Sequence, residues 1–224
     1  MKKIILAFLS LFFFLPFPAK GQSKLVKRLK AGQEQTLVVY GTSLSTAENA
    51  LVWVREISRV LNEKYGNHLR VFSSGKSGMW STWAVQHLDD SVLSKHPDAV
   101  MIEFGINDAF LDFHTSPEVA RINLHYLIDR IRLANPDCEI ILQIMNVPIR
   151  SSRQKRPQLE KYYAVYRQVA RKRKALLIDH APYWERILQQ GEEEYLKYVP
   201  DNIHPSKESS LTLTAPFILK RLGA

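Results

Sequence analysis

Four short stretches of this chain carry residue types that suit acyl transfer. The first is Gly41-Thr42-Ser43-Leu44-Ser45-Thr46, whose Ser43 hydroxyl can attack a carbonyl carbon. The second, Ser73-Ser74-Gly75-Lys76-Ser77-Gly78, has glycines that let backbone N–H groups approach a ligand. The third is Gly105-Ile106-Asn107-Asp108, and the fourth is Pro200-Asp201-Asn202-Ile203-His204-Pro205-Ser206. A serine hydroxyl is a poor nucleophile until a base takes its proton, which an imidazole does near neutral pH. Asp201, three residues before His204, can hold that imidazole in the required tautomer within one turn of chain. Backbone N–H groups and the Asn107 amide can stabilise the oxyanion of a tetrahedral intermediate. Taken singly, each stretch is ordinary, because Ser, Gly and Asn fill turns for conformational reasons alone.

For these stretches to meet, the elements before them must end at one edge of the molecule. Short β-branched and apolar runs predict strands over 36–40, 68–72, 98–104, 139–145 and 175–179. Helical periodicity predicts helices over 48–65, 82–95, 117–134, 158–174 and 207–222. Helix 117–134 has the clearest start, with Ser116 placed to cap it and Pro117 suited to its first turn. Strands alternating with helices imply right-handed crossovers and a parallel sheet covered on both faces. In such sheets ligands bind beyond the carboxyl ends of the strands, and three of the four stretches follow a strand directly.

In this order and combination the stretches resemble the SGNH/GDSL hydrolases. The pattern of that family is a Gly-Asp-Ser-Leu nucleophile block, a glycine block, a Gly-x-Asn-Asp block and a terminal Asp-x-x-His block. Here these are Gly41 to Leu44, Ser73 to Gly78, Gly105 to Asp108, and Asp201 to His204. The resemblance implies Ser43 as nucleophile, His204 as base and Asp201 as the residue orienting it. It also implies an oxyanion hole formed by the Ser43 N–H, the Gly78 N–H and Asn107, with Gly75 as the alternative glycine. The expected fold is a three-layer α/β/α, flavodoxin-like domain with a five-stranded parallel sheet. Two positions depart from the pattern: Thr42 stands where the family has Asp, and Ser73 where the second block often has Asn.

The rest of the chain narrows the setting. The formal charge is +9, and Cys138 is the single cysteine, which excludes an intramolecular disulfide and a cysteine-based zinc cluster. Lys2 and Lys3 precede an uncharged apolar run over 4–17, followed by Ala19-Lys20-Gly21. This reads as a secretory signal peptide over 1–21, with a single mature domain over 22–224 that is secreted or periplasmic. The run is short and interrupted by Pro16 and Pro18, so stable membrane insertion after cleavage is not expected. Without Lys2, Lys3 and Lys20 the charge falls to +6, a weak case for a nucleic-acid partner. The remaining histidines lack metal-ligand spacing, and no metal or cofactor is expected. Trp80 and Arg150 are candidate substrate contacts, with Trp83 an alternative that packing explains equally well. The expected partner is a small-molecule or polysaccharide ester, and the oligomeric state is open. The expected activity is hydrolysis of ester-linked acyl groups, such as acetyl on a carbohydrate. The same residues could serve an O-acetyltransferase, a lysophospholipase or a thioesterase. A flavin phosphate in the first loop is disfavoured by the leader and by the Asp201/His204 pair.

Overall fold

The computed structural model describes residues 22–224, so the leader expected over 1–21 lies outside the described residues. Five strands form one sheet: β1 (Gln35–Gly41), β2 (Leu69–Ser73), β3 (Ala99–Glu103), β4 (Glu139–Ile144) and β5 (Leu176–Asp179). Every neighbouring pair is parallel, and the order is β2-β1-β3-β4-β5. The three inner strands are buried along their whole length, which is why they read as near-continuous apolar runs. Within each, successive side chains still go to opposite faces: Leu37 and Val39 join one core, Val38 and Tyr40 the other.

These two cores make the three layers that the sequence predicts. Helices Lys24–Lys30, Glu48–Tyr65 and Ala215–Leu222 cover one face; helices Ser81–Gln86, Pro117–Ala134 and Leu159–Arg173 cover the other. The Pro117–Ala134 helix starts as expected, with the Val119 N–H donating to Ser116 Oγ at 3.2 Å. It buries Leu124, Leu127, Ile128 and Ile131. Leaving β1, the chain goes first to β2 on one side and later returns through β3 on the other. The crevice between the ends of β1 and β3 is therefore the topological switch point of the sheet.

Two expected helices are interrupted. The 82–95 segment is a helix at Ser81–Gln86, a turn at Leu88–Ser91 and a 3₁₀ turn at Leu93–Lys95. Asp89, Asp90 and Ser91 are weak helix formers, and the Ser94 hydroxyl takes the Asp90 carbonyl at 2.7 Å. The 207–222 segment opens into a π turn over Ser210–Thr214 before the Ala215–Leu222 helix. Pro216 has no N–H to donate and its ring crowds the preceding turn, and the wider turn accommodates both. The Lys24–Lys30 helix has no counterpart in the periodicity reading. It is docked by a long-range contact, with the Lys24 and Leu25 N–H groups donating to the Glu139 carboxylate at 2.9 and 2.8 Å.

Candidate active site

β1 ends at Gly41, and the chain turns at once into a short helical turn, Ser43–Thr46, capped by Thr42. The Leu44 N–H donates to Thr42 Oγ1 at 3.2 Å, so Thr42 serves as the N-cap and Ser43 is the first residue inside. Being first, Ser43 keeps a backbone N–H with no partner within the turn, free to point at a ligand. Beneath the turn lies the buried carboxylate of Glu103, the last residue of β3. Its Oε1 accepts from the Thr42 N–H at 2.7 Å, the Thr42 hydroxyl at 2.9 Å and the Ser45 hydroxyl at 3.0 Å. Burial pushes the Glu103 carboxyl up to about 7, against the pull of these three donors. A side chain at Gly41 would place its Cβ 2.5 Å from Glu103 Oε1, which explains the glycine better than turn geometry does. The inward hydroxyls of Thr42 and Ser45 are thus committed to an acidic group, a poor cradle for a flavin phosphate.

The Asp201/His204 loop approaches from the far end of the chain. Asn202 takes a left-handed conformation (φ 73°), which Asn tolerates, and its carbonyl accepts from the Ile149 N–H at 3.0 Å. Asn146, just past β4, donates through Nδ2 to the Ile203 carbonyl at 2.8 Å, and Asn49 holds the Pro205 carbonyl at 2.7 Å. Held from both sides, the loop brings His204 to Ser43. The Ser43 hydroxyl lies 2.8 Å from His204 Nε2, and His204 Nδ1 lies 2.6 Å from Asp201 Oδ2. Asp201 Oδ1 also accepts the His204 and Ile203 N–H groups at 2.6 and 3.1 Å. Partial burial raises the Asp201 carboxyl, but these hydrogen bonds outweigh it and hold the group below the usual carboxylate range. An ionised Asp201 fixes the proton on Nδ1 and leaves Nε2 as the acceptor facing Ser43.

The third block forms a buried helical turn, Gly105–Asp108, directly after β3. The Asn107 Nδ2 donates to the Met79 carbonyl at 2.9 Å, which ties this turn to the Gly78 loop. Asp108 accepts the Ser81 N–H at 2.9 Å, and burial pushes its carboxyl up to about 7. Gly78 is exposed with φ +77°, and a Cβ there would meet nothing within 4 Å. Gly75 is different: a Cβ would sit 2.5 Å from the Gly41 nitrogen, so it serves close packing of the two loops.

Of the expected substrate contacts, Trp80 stacks on Phe113 with centroids 4.3 Å apart and rings 10° from parallel. Phe113 in turn meets Phe110 edge-on at 5.3 Å, so a row of half-buried aromatics starts beside the Gly78 loop. Trp83 packs against Tyr40 and His87 and takes the packing role. Arg150 does not behave as a free cation for an anionic substrate. Its guanidinium donates to Glu192 at 3.0 Å and Glu193 at 2.7 Å, which neutralises it locally. Glu103, Asn146 and Arg156 matter more to the site than their sequence context suggests. Among them only Glu103, at the end of a strand, offers a positional signal.

A doubly wound parallel sheet with Ser, His and Asp converging at its carboxyl edge defines a hydrolase of the α/β/α class. Residues 38–209 match the GDSL-like Lipase/Acylhydrolase family, and the chain belongs to that family. It is a carboxylic ester hydrolase of the SGNH/GDSL type. The structure is similar to that of Axe2, an acetylxylan esterase from Geobacillus stearothermophilus. The TM-score is 0.73 at 22% identity, covering 87% of this chain and 97% of that one. It is also similar to an α/β hydrolase from the metagenome of Lake Arreo, Spain, with TM-score 0.70, 22% identity and coverage of 85% and 96%. A search of curated proteins returns no significant match.

Proposed function

We propose that this chain is an exported carbohydrate esterase that removes acetyl groups through an acyl-enzyme on Ser43. The observation that carries the reading is the unbroken relay from Ser43 Oγ to His204 Nε2 (2.8 Å) and from His204 Nδ1 to Asp201 (2.6 Å). In this mechanism Ser43 Oγ attacks the ester carbonyl as its proton passes to His204 Nε2. Asp201 stabilises the resulting imidazolium and keeps its ring in place. The oxyanion takes hydrogen bonds from the Ser43 and Gly78 N–H groups and from Asn107. Collapse of the intermediate expels the sugar alkoxide, which leaves with the proton from His204. Water, deprotonated by His204, then attacks the acetyl-serine. The bond from the acyl carbon to Ser43 Oγ breaks as His204 returns the proton to that oxygen, and acetate is released.

The carbohydrate reading is supported by the aromatic row from Trp80, since flat ring faces suit sugar stacking. It is also supported by the likeness to an acetylxylan esterase, of which catalytic variants at a serine and at an aspartate have been solved. Export is proposed from the leader over 1–21; among the described residues no helix is long and apolar enough to cross a membrane. The catalytic unit is assigned to a single domain over 22–224.

The test is acetate release from acetylated xylo-oligosaccharides by the mature protein, compared with short acyl esters and with lysophospholipid. Release that depends on Ser43 supports the reading. A preference for lysophospholipid, or transfer of acetyl to an added oligosaccharide in place of release, would overturn it.

A further inference from the structure

Arg156 is a buried guanidinium, 6% exposed, whose three hydrogen bonds go to neutral oxygens. Nε donates to the Ile106 carbonyl at 2.8 Å, one terminal nitrogen to the Ser152 carbonyl at 2.9 Å, and the other to Asn107 Oδ1 at 3.4 Å. The Phe110 ring lies 5.0 Å from the guanidinium carbon and covers a further face. Burying a cation with no carboxylate among these partners is unfavourable, and burial lowers the guanidinium's pKa from its usual value. A charge placed at such a disadvantage invites the question of what it does for its neighbours.

Two of those three acceptors lie in the Gly105–Asp108 turn: the backbone of Ile106 and the side chain of Asn107. The Asn107 amide has one oxygen and two N–H bonds. Its oxygen faces Arg156 and one N–H faces the Met79 carbonyl, so the second N–H remains for a ligand. Rotating the amide by half a turn would set an NH₂ group against a guanidinium and an oxygen against a carbonyl. Both contacts are repulsive, so the two anchors allow one orientation. A positive charge behind Oδ1 also draws electron density from the amide and strengthens its remaining N–H as a donor.

We propose that Arg156 is a positioning residue for ester hydrolysis, locking the Asn107 amide in the orientation that presents an N–H to the oxyanion. Arg156 does not touch the substrate; it acts through Asn107. The proposal rests on the reading of Asn107 as an oxyanion donor, and the experiment separates the two.

The experiment is a double-mutant cycle on p-nitrophenyl acetate with Asn107→Ala, Arg156→Met and the double variant, with kcat, KM and Tm measured for each. Asn107→Ala should lower kcat by roughly 10²–10³-fold. Arg156→Met should lower kcat by about tenfold, a coupling in the usual range for groups in direct contact, with KM nearly unchanged. In the Asn107→Ala background Arg156→Met should lower kcat no further. Arg156→Lys, which keeps the charge but loses the planar fork, should fall between wild type and Arg156→Met. If Arg156→Met does not fold, the same cycle is run with Arg156→Lys. Independent, multiplicative losses, or a change in Tm with kcat intact, would overturn the proposal while leaving Asn107 in its role. Near-normal kcat in Asn107→Ala would instead remove the oxyanion reading and the proposal with it.

Discussion

Gly75 lies against Gly41 so closely that a Cβ on Gly75 would reach the Gly41 carbonyl oxygen and stand 2.5 Å from its nitrogen. The two glycines thus bring the second loop onto the backbone that leads into Ser43. The Lys76 N–H seals the contact by donating to the Gly41 carbonyl at 3.0 Å. Ser43 owes its position to this packing from one side and to Glu103 from below.

Gly75→Ala should therefore destabilise the fold and displace the nucleophile turn. Overpacking against backbone that cannot rotate away costs about 1–3 kcal/mol or more. Gly78→Ala meets no atom and should cost about 1 kcal/mol, from its left-handed backbone alone. Thermal unfolding of both variants checks the order; equal losses would contradict it.

Ser43→Ala should lower kcat by on the order of 10³-fold or more with Tm nearly unchanged, because Ser43 is only partly buried. His204→Ala should do the same. The two acting as one unit, the Ser43→Ala/His204→Ala protein should be no slower than either single variant. Single-turnover kinetics on an activated ester measures this.

Thr42→Asp would put the family's aspartate where a threonine hydroxyl now donates to Glu103 at 2.9 Å. Two carboxylates would share a buried site, with a loss of stability on the order of 3 kcal/mol above neutral pH. Adding Glu103→Gln should recover most of it, since only one carboxylate then remains. Failure of Glu103→Gln to rescue Thr42→Asp would show that the clash is not electrostatic.

Stability should also fall as pH rises from about 4.5 to 7. The Glu103 carboxyl has an ordinary value of 4.5 and is pushed to about 7 in the fold, so over that interval the folded protein holds a proton that the unfolded chain has released. Rising pH then favours the unfolded chain until both forms are ionised, an effect on the order of 3 kcal/mol for this group. Asp108 acts in the same sense from 3.8 to about 7. Asp201 acts oppositely, since its lowered carboxyl stabilises the fold above its ordinary value and is lost only toward acid. Tm measured from pH 5 to 8 should slope downward less in Glu103→Gln than in the wild type. Parallel curves would mean that Glu103 does not titrate there.

The sequence by itself determined the parts and their order. Five apolar runs of strand length, separated by helical periodicity, leave little choice beyond a parallel sheet. The Pro117–Ala134 helix is legible to the residue, because Ser116 and Pro117 act locally and its apolar spacing is regular. The four loop blocks are legible because each carries its chemistry in consecutive residues. Tertiary structure alone decided how the blocks are held. Glu103 under Thr42, Gly75 against Gly41, Asn146 on the Ile203 carbonyl and Arg156 behind Asn107 join residues 34 to 61 positions apart. No local propensity encodes such contacts, since each partner is an ordinary residue in its own segment. The same holds for Arg150, a free cation in the sequence and an ion-paired one in the fold. Sequence writes the reacting groups into short segments; their orientation is a property of the packing that brings distant segments together.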